Sequence, residues 1–329
     1  MGKQPYLNIH IMNTNNNFDA NSISGSAFSG LTLSDNSNAD SVASLLDRFG
    51  LRWEVSKQPL LLPTGEDTGF FGVVRSDNKE TFSTCKSGYV PFQNSELAEL
   101  LIRISEKTGY TIHSGGNFNG GGKVYLQLNS GNQIAQIGKD RTAVKGFITG
   151  INSHDGTTSL KWGNANITIS CQNTFVAASK QLSNKARHTA SIHSRVEDSI
   201  REITGVVEAE KSLFDKFIRL SEMPVTKSHI EKVTHAITGV NIGLSPSQAQ
   251  KEYSSYAINR SSELMTSIQR ELVGKGDTLW GLFSGVTHYT SHVLPVPKRE
   301  NARLESKYTG SGLSIDNDAL QLIETFSLS

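Results

Sequence analysis

The sequence has few cysteines and no long apolar run. Its 329 residues include two cysteines, Cys85 and Cys171, which excludes a disulfide framework, and both lie in or beside apolar strand patterns typical of buried thiols. No run of about 18 apolar residues occurs, which excludes a spanning helix, and the first residues do not form a basic-then-apolar leader. We therefore expect a soluble, cytoplasmic protein that has no membrane partner.

The chain also lacks an excess of charge and a recognisable metal motif. Lys and Arg number 32 against 31 Asp and Glu, a net charge of +1, so only a local basic patch could indicate nucleic-acid binding. The nine histidines are scattered, and only His288 and His292 stand four apart on a predicted helix, a spacing that suits two metal ligands. Since no third ligand stands nearby in sequence, we expect no metal and no cofactor.

Length and composition predict the organisation of the chain. A chain of 329 residues exceeds one minimal domain and suggests about two. Residues 1–36 are rich in Asn, Ser, Gly and Asp and bury too little apolar surface to offset the entropy of ordering, so we expect a disordered or extended polar arm. A sheet-and-helix domain is predicted over 37–222 and a helical region over 223–329.

Period-two alternation predicts strands in the first half of the chain. The strand candidates are 51–55, 70–75, 81–84, 110–113, 123–128, 143–151 and 166–171. Asp155-Gly156 between two apolar runs predicts a hairpin turn, while Pro59 and Pro63 confine residues 51–63 to a sheet edge or a connection.

Apolar residues three and four apart predict helices, which dominate the second half. Asn173 caps a short predicted helix, and the longest one spans 189–221, with Gly205 weakening its middle. The other helix candidates are 38–49, 94–108, 230–240, 245–272, 278–289 and 319–326, with 309–312 as a loop. We predict an α+β fold in which an antiparallel sheet with hairpins packs on helices, followed by a mostly helical C-terminal region.

Three motifs suggest enzymes, and each has a structural alternative. The glycine-rich segment 115–122 before Lys123 leads into a strand, whereas a phosphate-binding P-loop leads into a helix, so a hairpin tip is favoured. Ser153, His154 and Asp155 are consecutive, so their side chains diverge and cannot form a serine triad. Cys171 and His188 could form a thiolate pair, but Cys171 is in phase with apolar strand residues, which favours a buried thiol. We therefore predict no catalytic residue.

The strongest local signal is a group of basic residues around the predicted junction of sheet and long helix. Acidic residues are absent from 179–196. The predicted nucleic-acid-binding residues are Lys139, Arg141, Lys145, Lys161, Trp162, Lys180, Lys185, Arg187, His188, Arg195 and Arg201. If the sheet residues face the helix residues, they would form a cationic groove with an aromatic for base stacking. The alternative is a solvated helix face.

Five short motifs carry a resemblance to a known family. In chain order they are 88–94 (Gly-Tyr-Val-Pro-Phe-Gln-Asn), 153–156 (Ser-His-Asp-Gly), 171–174 (Cys-Gln-Asn-Thr), 187–189 (Arg-His-Thr) and 277–281 (Asp-Thr-Leu-Trp-Gly). The series resembles the phage/plasmid-like protein family, a domain-of-unknown-function family found on phages and mobile elements, over residues 50–325. The resemblance implies mobile-element biology in a bacterial host cell and no settled activity.

The order of elements is also similar in outline to single-strand annealing recombinases of the eukaryotic Rad type and their phage relatives. This fold-level likeness implies rings of subunits that hold single-stranded DNA in a basic groove, with Lys145, Lys180, Lys185 and Arg187 in that groove. The large helical C-terminal third departs from the minimal annealing domain.

Three functional hypotheses remain from the sequence. The first is a non-enzymatic, oligomeric single-stranded-DNA-binding or annealing protein in recombination or replication, with bases stacking on Trp162 or Tyr125. The second is an accessory or anti-defence factor that binds a host protein through Trp280, Phe283 and Tyr289. The third is a hydrolase that uses Cys171 and His188.

Overall fold

The computed structural model describes residues 41–168, 174–175, 184–201, 204–299 and 301–327. Within these residues the chain forms nine strands and ten α-helices, and the strands pair in antiparallel sheets. This confirms the predicted α+β fold with a mostly helical C-terminal region. The arm predicted over residues 1–36 lies outside the described residues.

A short helix and a small sheet begin the described chain. Helix α1 (Val42–Arg48) precedes a three-stranded sheet in the order β1-β2-β3. Its strands are β1 (Val55–Leu61), β2 (Asp67–Arg75) and β3 (Thr81–Cys85). Pro59 lies in β1, an outer strand of this sheet, as its missing N–H requires.

The larger sheet follows helix α2 (Asn94–Thr108), which the sequence predicted. Its order is β4-β5-β6-β7-β8, and β9 also pairs with β7. The strands are β4 (Thr111–Phe118), β5 (Lys123–Ile137), β6 (Thr142–Ser153), β7 (Leu160–Thr168), β8 (Thr174–Phe175) and β9 (Asn184–Ala186). Strand β8 lies where the sequence predicted a short helix after Asn173, so that prediction was wrong at residues 174–175.

Both predicted hairpin tips are present in this sheet. Gly156, in the turn between β6 and β7, has φ of +73°, which glycine adopts without strain. A 3₁₀ turn, Asn119–Gly121, joins β4 to β5. Lys123 therefore begins a strand, as predicted, and the helix that a P-loop requires is not there.

Helices make up most of the remaining described chain. They are α3 (Ile192–Arg201), α4 (Thr204–Glu222), α5 (Lys227–Thr238), α6 (Pro246–Glu252), α7 (Ser255–Lys275), α8 (Leu279–His288), α9 (Ala302–Thr309) and α10 (Ser311–Phe326). A π-helical segment, Tyr289–Val293, extends α8. Among the helices of the described residues, none is both long enough and apolar enough to cross a membrane.

The long helix predicted over 189–221 contains α3 and α4, and residues 202–203 between them lie outside the described residues. The helix boundaries differ from the sequence prediction in two other places. The helix predicted over 245–272 is interrupted at Tyr253, which is extended (φ −126°, ψ 150°). The loop predicted at 309–312 is only the junction of α9 and α10, because Gly310 alone leaves helical geometry.

Both faces of the larger sheet are covered by apolar side chains. On one face Leu97 and Leu101 of α2 pack directly against Gly150 of β6. A Cβ atom on residue 150 would lie 2.6 Å from a methyl of Leu101, so a larger residue does not fit there without a shift. On the opposite face a smaller apolar cluster joins the sheet to α9 and α10; its members are Phe118, Tyr125, Phe147, Ile151, Leu304, Tyr308 and Leu313. A separate helical core contains Phe217, Trp280 and Phe283, and it also takes in Ile137 and Val144 from the β5–β6 hairpin.

Candidate functional site

Strands β7 and β9 place two lysines directly opposite each other. Lys161 pairs with Lys185 in their antiparallel register, and directly opposite residues project from the same sheet face. Burial lowers the pKa of Lys161, and the neighbouring Lys185 lowers it further. Like charges directly opposite each other destabilise a sheet. The Lys161–Lys185 pair therefore does not stabilise the fold.

Two further cations are considered with this pair, Arg187 just after β9 and Lys145 further along β6. Lys161 is also opposite Ile151 of β6, and Lys145 lies six residues from Ile151 on the same strand, hence on the same face. The Lys145 ammonium is 5.8 Å from the centroid of the Phe147 ring, and partial burial lowers the pKa of Lys145. Arg187 is exposed two residues after Lys185. We call Lys145, Lys161, Lys185 and Arg187 the basic strip.

The basic strip is long and is interrupted by Phe147 and Ile151, which lie on the same face of β6 between Lys145 and Lys161 and are buried against α9 and α10. At about 3.3 Å per residue, Lys145 and the point opposite Lys161 are roughly 20 Å apart along β6. Within the described part of the chain, no ion pair is recorded for any of the four residues. An anionic polymer could neutralise several of these charges at once.

Of the other predicted basic residues, Lys139, Arg141 and Arg195 lie on other elements than the strip. Lys139 and Arg141 lie at the β5–β6 hairpin tip, where Lys139 approaches Gly276 at the end of α7. Arg195 is an exposed residue of α3, and Arg201 ends that helix, where its side chain is not described. Lys180 lies outside the described residues.

The two aromatic residues predicted to stack on bases are buried. Trp162 has no exposed surface and belongs to the core beneath α2, because it alternates with Lys161 and so projects to the opposite face. Tyr125 is 2% exposed and stacks on Phe118, with ring centroids 4.9 Å apart. The prediction that Trp162 or Tyr125 stacks on bases was wrong.

His188 is also buried, and it belongs to a polar cluster that sequence reasoning missed. Its Nε2 lies 2.8 Å from Asn152 Oδ1, and its ring stacks on Tyr89 at 5.2 Å. Asn152 Nδ2 donates to the Phe92 carbonyl, which leaves Oδ1 as the acceptor and places the His188 proton on Nε2. His188 therefore has a structural partner and is not available to contact a nucleic acid.

His154 is held in the same way next to this pair. Its Nε2 lies 3.0 Å from Asn94 Oδ1, and Asn94 Nδ2 donates to the carbonyls of Leu51 and Trp53. The His154 proton therefore also sits on Nε2. Burial lowers the pKa of His154 to about 3 and that of His188 to about 4. For His154 the neighbouring His188 adds to this shift, and the Asp155 carboxylate opposes it.

Three of these four residues stand in the motifs that carry the family resemblance. Asn94 ends the segment 88–94, His154 lies in 153–156, and His188 lies in 187–189. The signal was thus present in the sequence, but it did not reveal that residues about 60 and 36 positions apart form hydrogen-bonded pairs. We call Asn94, Asn152, His154 and His188 the His–Asn cluster.

The remaining catalytic and interaction hypotheses find no site in the described residues. Ser153 donates to Asp155 at 2.7 Å while His154 bonds to Asn94, so the three do not form a triad. Cys171, the proposed partner of His188, lies outside the described residues. The predicted protein-binding anchors Trp280, Phe283 and Tyr289 are at most 3% exposed, so that role for them was wrong.

His288 and His292 are close, but they do not form a metal site with other described groups. Their ring centroids are 4.9 Å apart. Burial, with a smaller contribution from the charges of Arg270 and Lys275, lowers the pKa of His288 to about 4. Among the described residues, no group of three or more His, Cys, Asp or Glu side chains could hold a metal ion.

Comparison with known proteins identifies one family. Residues 81–309 match the family described as "Domain of unknown function (DUF932)". No curated protein and no solved structure matches the chain. The family match covers both the basic strip and the His–Asn cluster, and it spans more than half of the sequence. The chain therefore belongs to this domain-of-unknown-function family.

Proposed function

We propose that the protein binds single-stranded nucleic acid through the basic strip, without catalysing a reaction. The opposition of Lys161 and Lys185 carries this proposal. Two ammonium groups held face to face repel each other, and a phosphate between them removes the repulsion and gains two ion pairs. Cations spread over about 20 Å of a sheet suit a polymer of phosphates better than a single small anion.

The biological setting is part of the same proposal. The motifs that resemble phage and plasmid proteins support a role in recombination or replication of a mobile element in the cytoplasm of a bacterial host. Annealing by an oligomer of this chain is the activity that the likeness to Rad-type recombinases suggests. With Trp162 and Tyr125 buried, binding rests on phosphate contacts, so we expect little dependence on base sequence.

The test is a titration of a fluorescent single-stranded oligonucleotide by anisotropy at several salt concentrations. The triple variant Lys161→Gln, Lys185→Gln, Arg187→Gln should bind about tenfold or more weakly, and its log–log salt slope should be shallower by about 2, at ~0.7 per lost phosphate contact. The variant should be no less stable than the parent, because it removes like-charge repulsion.

Lys251→Gln is the matched control, because Lys251 is an exposed lysine of α6, outside the basic strip. It should bind the oligonucleotide as the parent does. Absence of binding at low salt, or equal binding by the triple variant and the control, would show that the proposal is wrong.

A further inference from the structure

A cleft between the end of β4–β5 and the last two helices is separate from the basic strip. It has a volume of about 230 Å³ and is lined by Lys123, Arg299, Glu305 and the Pro295–Pro297 segment, with the α9–α10 junction at its rim. Two of these charged side chains are buried: Lys123 is 8% and Glu305 7% exposed. Buried charges at the base of a cleft are costly unless they are paired or used.

The charged groups form one connected set. Lys123 Nζ lies 2.5 Å from Glu305 Oε1 and 3.4 Å from Asp155 Oδ2. Arg299 donates to the other oxygen of Glu305. Glu305 thus holds both cations in place at the base of the cleft. A guanidinium has five N–H donors, and within the described residues Arg299 is recorded as donating one of them, to Glu305.

The rest of the lining has two kinds of surface. Pro295, Val296, Pro297 and Ala302 form an apolar wall. Ser306, Thr309 and Ser311 supply hydroxyl groups. The Thr309 hydroxyl donates to the Glu305 backbone carbonyl at 3.2 Å, the Ser306 and Ser311 oxygens lie 3.4 Å apart, and the Ser306 oxygen accepts from the Gly312 amide at 3.0 Å. The first turn of α10 opens at this rim with no acidic residue, although the Ser306 side chain caps its Gly312 amide. The helix end adds a positive potential but does not define the site alone.

We propose that this cleft binds a small organic anion, in which one phosphate or carboxylate group is attached to an apolar body. The acidic group would accept from the N–H groups of Arg299 that do not bind Glu305, and from whichever of the Ser306 and Ser311 hydroxyls does not donate to the other. The apolar body would lie against the proline wall. The volume suits a ligand about the size of a single aromatic ring with its acidic group.

The experiment uses phenyl phosphate and benzoate as probes of the full-length protein, with dissociation constants measured by saturation-transfer NMR at constant ionic strength. We expect saturable binding of at least one probe that sodium chloride does not displace. If phenyl phosphate alone binds saturably, the site is assigned to phosphate esters. If benzoate alone binds saturably, the site is assigned to carboxylates. If neither probe binds, the proposal is overturned.

Neighbouring residues supply the matched variants. Arg299→Gln should lower the affinity for the probe at least fivefold, because it removes the guanidinium that donates to the acidic group of the probe. Lys298→Gln removes the same charge from an exposed residue that does not line the cleft and should change the affinity less than twofold. Equal affinity of the two variants, measured on samples with unchanged circular dichroism, would overturn the proposal.

Discussion

Replacing Asp316 by alanine should lower the free energy of unfolding by about 3–5 kcal/mol. Asp316 and Lys307 form a completely buried ion pair between α10 and α9. Thr290, in the π-helical segment after α8, donates to Asp316 at 2.7 Å and accepts from Lys307 at 2.8 Å. Burial lowers the pKa of Lys307 and raises that of Asp316, so neither charge is stable there without the other.

Urea denaturation followed by circular dichroism measures this effect. The control is Asp47→Ala, which removes the partner of Arg52 from a pair whose side chains are 52% and 66% exposed and should cost less than about 1 kcal/mol. The double variant Lys307→Met, Asp316→Leu should recover much of the loss, because it removes both charges and keeps the volume filled. Similar losses for Asp316→Ala and Asp47→Ala would contradict this account.

Acidification from pH 7 to pH 5 should destabilise the protein by about 4 kcal/mol through the two histidines of the His–Asn cluster. In the folded state the pKa of His154 is about 3 and that of His188 about 4, whereas both titrate near 6.5 in an unfolded chain. Between these values the unfolded state binds more protons. Stability is therefore complete above about pH 6.5 and falls progressively as the pH drops toward the folded values.

Unfolding free energies from urea titrations at pH 7, 6 and 5 test this prediction. The double variant His154→Gln, His188→Gln should be less stable than the parent at pH 7 but should depend less on pH, because glutamine does not titrate. His235→Gln, at an exposed position of α5, should leave the dependence unchanged. If the double variant keeps the parent's slope, the acid sensitivity arises elsewhere.

Local patterns predicted most of the fold. Alternation identified β6, the Asp155-Gly156 turn identified its hairpin with β7, and helical periodicity with a following glycine identified α2. These features depend on neighbours within a few residues, which a sequence displays directly. The errors arose where one local pattern is compatible with two structures. Gly310 and its small polar neighbours predicted a loop, whereas in the structure Gly310 is the one non-helical residue between α9 and α10.

The candidate site was less predictable because it depends on which side of a strand a residue faces and on which strand lies next to it. Lys161 and Trp162 are adjacent in sequence, but one belongs to the basic strip and the other to the core. The opposition of Lys161 and Lys185 requires the register of β7 and β9. The pairing of Lys123 with Glu305 joins residues 182 positions apart, a separation at which no periodicity gives information.

The β5–β6 hairpin connects regions that the sequence suggested were separate. Val144 packs in the helical core while its neighbour Lys145 belongs to the basic strip, and Phe147 and Ile151 further along β6 pack against α9 and α10. The β5–β6 hairpin thus contributes side chains both to the sheet and to the helical core. The β5–β6 ladder joins the two parts, with one register shift between Asn129 and Ile134. Separating them would break hydrogen bonds between β5 and β6 as well as apolar contacts, so we expect the sheet and the helical core to stabilise each other.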